Sequence, residues 1–98
     1  MDLIVHVVIR GRVQGVGYRA WTECEAGQRG IAGWVRNRRD GAVEALFAGA
    51  QANVHAMIEA CRQGPPGARI EAIDQRNADA GELALRRGGE DFSVLATV

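Results

Sequence analysis

The segment RGRVQGVGYR, residues 10–19, holds the residue types best suited to chemistry. It lies between an aliphatic run typical of a strand and a pattern typical of a helix. Gly15 and Gly17 allow the backbone to curl so that consecutive N–H groups face one concavity. The start of the helix adds partial positive charge, and Arg19 in its first turn can contact two oxygens of one anion. The segment therefore predicts a pocket for a phosphoryl group.

Composition narrows the chemistry of such a pocket. All 12 basic residues are arginine, and the only serine is Ser93, inside a hydrophobic stretch. A Schiff-base amine, a serine nucleophile and the lysine of a nucleotide-binding loop are thereby excluded. The glycine spacing also differs from the dinucleotide fingerprint. Glycines alone are equally typical of a tight connection between elements, so Arg19 carries most of the prediction.

A second candidate is Asn37, near the turn end of the strand in the segment GWVRNRRDG. A carboxamide both donates to and accepts from a water molecule without changing its charge. A lone asparagine near a turn is more often a local cap, so the alternative remains open. Arg36, Arg38 and Arg39 are expected at a solvated hairpin tip balanced in part by Asp40, or else they attract an anionic substrate.

Other polar residues indicate no further site. His6 lies in a strand and His55 on a helix, without metal-ligand spacing, and Cys24 and Cys61 are expected to be free, buried thiols. A net charge of zero argues against nucleic acid as a partner. No segment has the pattern of a signal peptide or a membrane span, so we expect a cytoplasmic protein with no membrane contact.

These residues must be positioned by strands and helices that the pattern predicts in βαββαβ order. We expect strands at 3–9, 33–38, 42–49 and 68–74, with a hairpin turn at 39–41 and positive φ at Gly41. Helices are expected at 18–29, with Ala20, Trp21, Cys24 and Gln28 on one face, and at 51–63, with Val54, Met57, Ile58 and Cys61 inward. Residues 76–91 look irregular, and 92–98 resemble a last strand. The prediction is a single α+β domain over residues 1–98, a ferredoxin-like two-layer α/β sandwich whose antiparallel sheet carries two helices on one face.

The combination of RVQGVGYR, GWVRN and Gly41 resembles the acylphosphatase family, and the resemblance covers most of the chain. It implies hydrolysis of the carboxyl–phosphate bond of a small acyl phosphate, with water as the nucleophile and a carboxylate and inorganic phosphate as products. It also implies that neither a metal nor a cofactor is needed, and we expect a monomer.

The resemblance further implies roles for particular residues. The phosphoryl group would be held by the loop Val13, Gln14, Gly15, Val16, Gly17, Tyr18 and Arg19, which we call the phosphate loop. Arg19 would anchor the anion, and Asn37 would orient the attacking water. The alternative is a catalytically silent ferredoxin-like module that binds phosphate or serves regulation, because the architecture does not fix function.

Overall fold

The computed structural model describes residues 2–98, in which strands and helices follow one another around a single sheet. In chain order the elements are β1 (Asp2–Arg12), α1 (Tyr18–Gln28), β2 (Ala32–Asn37), β3 (Val43–Ala50), α2 (Gln51–Cys61), β4 (Arg69–Asn77), α3 (Ala80–Leu83) and β5 (Phe92–Val94). The ferredoxin-like order βαββαβ is confirmed, with α3 and β5 added after it. The hairpin is confirmed as well, and Gly41 has φ 95°.

The sheet has the strand order β4-β1-β3-β2-β5. β1 pairs antiparallel with β3 and β4, and β2 pairs antiparallel with β3. The expectation of a wholly antiparallel sheet is wrong at one edge, where β5 runs parallel to β2. The segment between β4 and β5 brings the chain back to the start of β2, where the Gly33 amide donates to the Asp91 carbonyl. From this point β5 continues in the same direction as β2.

One face of the sheet packs against α1 and α2 and forms the main core. Alternate residues of the central strands point into it, as the strand periodicity requires. The inward face predicted for α2 is confirmed, because Val54, Met57, Ile58 and Cys61 are all buried. Burial raises the pKa of the Cys61 thiol to about 12, so this sulfur remains a protonated core group.

The face predicted for α1 is wrong. The helix buries Tyr18, Thr22 and Ala26, whereas Cys24 is exposed. These buried residues recur every four positions. The buried Thr22 hydroxyl donates a hydrogen bond to the Tyr18 carbonyl at 2.8 Å. A polar threonine and a small alanine are a weak hydrophobic signal, so the sequence pattern favours a different face of the helix.

The sheet face opposite the two long helices is also covered, so the middle of β1 is buried on both faces. His6 lies on this face and its Nε2 is 2.8 Å from the Glu44 carboxylate. The indole of Trp34 donates to the Glu82 carbonyl of α3 at 2.9 Å. The Arg36 guanidinium lies 4.6 Å from the centre of the Trp34 ring and also pairs with Glu44. Arg36 is therefore not at a solvated hairpin tip, because strand alternation turns it to the face away from the helices.

Two segments near the C-terminus differ from the sequence prediction. β4 extends to Asn77, and α3 begins behind Asp79, whose carboxylate accepts from the Glu82 amide. β5 ends at Val94, although the Leu95 amide still donates to the Val35 carbonyl. The segment 76–91 thus contains local structure that its polar composition did not reveal.

Candidate active site

The phosphate loop connects β1 to α1 and ends in the first turn of that helix. Gly15 and Gly17 have φ 76° and 79°, the left-handed region that glycine enters without steric cost. Gly17 caps α1 without a side chain, so no hydroxyl or carboxylate occupies the start of the helix. Within residues 2–98, the N–H groups of residues 14–20 donate to no protein acceptor. All of these residues except Val16 line the pocket described next, so their N–H groups are candidates for binding an anion.

A pocket of about 360 Å³ opens beside this loop. It is lined by Val13, Gln14, Gly15, Gly17, Tyr18, Arg19, Ala20, Glu23, Asn37 and Val94. The residues expected to hold an anion and the asparagine expected to orient water thus border one cavity. Val16 is the member of the phosphate loop that does not line it, because its side chain packs against the core.

Arg19 is the basic residue among those lining the pocket. Its side chain is half-buried and forms no ion pair within residues 2–98. Arg38, by contrast, pairs with Asp40 at 3.0 Å. The positive charge at Arg19 is consequently uncompensated by a bonded carboxylate, which suits the binding of an anion.

Asn37 ends β2 and is held by its backbone. It pairs with Val43 across the sheet, and its carbonyl accepts from the Val98 amide at 3.1 Å. Its side-chain amide makes no hydrogen bond within residues 2–98 and borders the pocket. A fixed backbone with a free carboxamide is the arrangement required to hold a water molecule at a set position.

The loop is tied to the rest of the protein on both sides. The Gln14 amide nitrogen donates to the Arg38 carbonyl at 2.7 Å and to the Ala42 carbonyl at 2.9 Å. The Tyr18 hydroxyl donates to the Cys61 carbonyl at 2.7 Å. Burial raises the pKa of Tyr18 far above its ordinary value, so the phenol stays protonated and remains a donor. These bonds restrain the loop before any ligand binds.

Two features of the site are absent from the sequence prediction. The Gln14 side chain is turned to the β2–β3 hairpin, so its contribution to an anion is limited to its backbone. Glu23 lies one turn beyond Arg19 and brings a carboxylate to the pocket wall. Helical spacing from Arg19 could have placed Glu23 there, whereas the hairpin contact of Gln14 depends on tertiary geometry.

Other polar groups lie away from this pocket. Trp34 is buried on the opposite face of the sheet, away from the pocket. Among residues 2–98, no group of three or more His, Cys, Asp or Glu side chains is arranged to hold a metal ion. None of the helices in that part of the chain has the length and apolar character to span a membrane.

Fold and site together define a ferredoxin-like α+β protein with a loop that presents N–H donors and an arginine to an anion. The acylphosphatase family model matches residues 5–93. The chain belongs to the acylphosphatase family, and its relatives are hydrolases that act on acid anhydrides.

Individual relatives agree with this assignment over nearly the whole chain. An acylphosphatase of Bradyrhizobium diazoefficiens is 61% identical, with 97% of this chain and 96% of the relative covered. One of Nitrobacter hamburgensis is 54% identical, with 99% and 98% covered. The crystal structure of acylphosphatase from Bacillus subtilis superposes with a TM-score of 0.82 at 34% identity and covers 97% of this chain and 99% of that one. Full-length HypF contains the same fold in 12% of its chain, with a TM-score of 0.83 at 24% identity.

Proposed function

We propose that this chain hydrolyses small acyl phosphates with Arg19 as the anchor of the phosphoryl group and Asn37 as the residue that orients the attacking water. One observation carries the proposal: the unpaired N–H groups of the loop, the uncompensated arginine and the free carboxamide border the same pocket. The products are a carboxylate and inorganic phosphate.

Binding of the phosphoryl group uses the loop and Arg19. The N–H groups of residues 14–20 donate to no protein acceptor, so they can bind phosphate oxygens without breaking a hydrogen bond inside the protein. Arg19 adds a charge-assisted, bidentate contact from the first turn of α1, where the helix dipole also favours negative charge. The donors are fixed before the substrate arrives, which limits the reorganisation needed during the reaction.

Attack by water uses Asn37. Its carboxamide can accept a hydrogen bond from the water and direct an oxygen lone pair toward phosphorus. Phosphoryl transfer passes through a loose transition state with negative charge spread over the equatorial oxygens, so positioning and electrostatic stabilisation supply most of the catalysis. A carboxylate is a good leaving group, and a strong general acid is therefore not needed.

The experiment that tests the activity is the release of phosphate from benzoyl phosphate by the purified chain. We expect catalytic release that is unchanged by an excess of a metal chelator, because each proposed role belongs to a protein group. Binding of inorganic phosphate without any release of it from an acyl phosphate would instead support the silent binding module.

We further propose that the chain acts as a single-domain monomer in the cytoplasm, over residues 1–98. The single sheet and shared core of residues 2–98, and relatives that are covered almost from end to end, support the single domain. Sedimentation equilibrium should give a mass near 10.5 kDa, and fractionation of the source cells should recover the chain with cytoplasmic enzymes. A mass of twice that value, or recovery outside the cytoplasm, would contradict this part of the proposal.

A further inference from the structure

The side chain of Gln14 joins the two halves of the candidate site. Gln14 belongs to the phosphate loop, and its two acceptors, the carbonyls of Arg38 and Ala42, belong to the hairpin that begins directly after Asn37. The distances of 2.7 and 2.9 Å use both hydrogens of one amide nitrogen. The position of the loop relative to the end of β2 is thus fixed by a short, two-point contact.

The contact has a chemical requirement that few side chains meet. Two carbonyl oxygens face it, so the side chain must offer two donors, and a carboxamide nitrogen does so without adding a charge. Glutamate has the same length and shape but only acceptors when ionised. The Gln14 side chain faces the hairpin carbonyls and not the anion. Its carboxamide therefore suits the hairpin contact.

The hairpin does not depend on Gln14 for its own hydrogen bonds. The Arg38 carbonyl also accepts from the Gly41 amide at 3.1 Å, and the Ala42 carbonyl accepts from the Arg38 amide at 2.8 Å. Removing the Gln14 side chain leaves each carbonyl with a backbone donor, so the fold loses little. What is lost is the connection between the loop and the hairpin.

We propose that Gln14 is a positioning residue that sets the water held by Asn37 in line with the phosphoryl group held by the loop. The inference rests on the proposed function, because it needs Asn37 to orient the water. Misplacing reacting groups by about 1 Å can lower a rate by on the order of a hundredfold, so a clamp between the two groups bears directly on turnover.

The test is a double-mutant cycle of Gln14→Ala and Asn37→Ala, assayed on benzoyl phosphate. In the wild-type background, Gln14→Ala should lower kcat by about 10- to 100-fold. The inhibition constant of inorganic phosphate should change by less than about threefold, because the loop donors and Arg19 remain. In the Asn37→Ala background, Gln14→Ala should change kcat by less than about twofold, since there is no longer an oriented water to misplace.

Two further variants separate the clamp from general damage to the fold. Gln28→Ala removes an exposed glutamine of α1 whose side-chain amide donates to the Cys24 sulfur, and it should leave kcat unchanged. Gln14→Glu should lower kcat at neutral pH, and its kcat relative to wild type should rise as the pH falls, because a protonated carboxyl regains one donor.

Each outcome decides between the proposals. Equal losses from Gln14→Ala in both backgrounds, a phosphate inhibition constant that rises as much as kcat falls, or an unchanged kcat would each overturn the role of Gln14 while leaving the role of Asn37 intact. Wild-type turnover in Asn37→Ala alone would overturn the proposed role of Asn37 and the inference with it.

Discussion

Replacing Arg19 by glutamine removes the basic residue that lines the pocket. In the proposed complex the phosphoryl group would lie within contact distance of the guanidinium, and two unit charges about 4 Å apart near a protein surface interact with about 4 kcal/mol. Loss of one preorganised donor to a transition state costs about 3 kcal/mol by itself. Since each 1.4 kcal/mol corresponds to about tenfold in rate, we expect kcat/KM for Arg19→Gln to fall by about a hundred- to a thousandfold.

The fold should tolerate this change. Arg19 makes no ion pair within residues 2–98, so no buried partner is left without its charge. The midpoint of thermal unfolding should stay within about 2 °C of wild type. Arg62→Gln, which removes an exposed arginine of the α2 end paired with Glu59, is the matched control and should keep wild-type kcat/KM.

The assay combines benzoyl phosphate hydrolysis with inhibition by inorganic phosphate. Both kcat/KM and phosphate affinity should fall for Arg19→Gln, because in the proposed role Arg19 contacts the anion in the ground state as well as in the transition state. Arg19→Lys should recover only part of the loss, since a lysine keeps the charge but lacks the planar pair of donors. A folded Arg19→Gln protein with wild-type kcat/KM would refute the assignment.

Three other substitutions test the structure around the site. In Gly17→Ala the added Cβ meets no atom within 4 Å, but the residue must adopt φ 79°, which is strained for a residue with a Cβ. The free energy of unfolding should therefore fall by about 1–2 kcal/mol, and an unchanged urea midpoint would contradict this. Tyr18→Phe leaves the Cys61 carbonyl without its donor and should lower the free energy of unfolding by about 1–3 kcal/mol. A variant as stable as wild type would show that this hydrogen bond contributes nothing. Burial raises the pKa of Glu44, but the hydrogen bonds from Arg36 and His6 outweigh it and leave the pKa below its ordinary value. The ionised Glu44 carboxylate therefore stabilises the fold above the ordinary carboxyl pKa of about 4.3, and this contribution is lost as the pH falls through the lowered pKa of Glu44. Between about pH 5 and pH 2, the free energy of unfolding should consequently fall more steeply for wild type than for Glu44→Gln. Equal slopes in acid denaturation would exclude that contribution.

The sequence predicted the parts of the molecule that depend on local pattern. The periodicity of α2 marked its four buried residues, and the strand–loop–helix order located the phosphate loop. Arg19 and Asn37 stood out by residue type, and the fold brings them to one pocket. These features are encoded by neighbours in the chain, which is why the sequence was sufficient for them.

Features that depend on tertiary partners were not predictable in the same way. Thr22 is buried because its hydroxyl finds a carbonyl within its own helix, and Cys24 is exposed although its residue type is usually buried. Arg36 belongs to a network on the far face of the sheet and not to the hairpin tip. Gln14 looked like a ligand-binding residue by position, but its side chain bonds a hairpin 24 and 28 residues away.

The central claim is that binding of the phosphoryl group and orientation of the water are assigned to different residues. Asn37→Ala separates the two most directly, by titrating inorganic phosphate and measuring turnover of benzoyl phosphate on the same protein. The expected result is phosphate affinity within about twofold of wild type and a fall in kcat of about a hundredfold or more. Weakened phosphate binding with turnover retained would contradict the account.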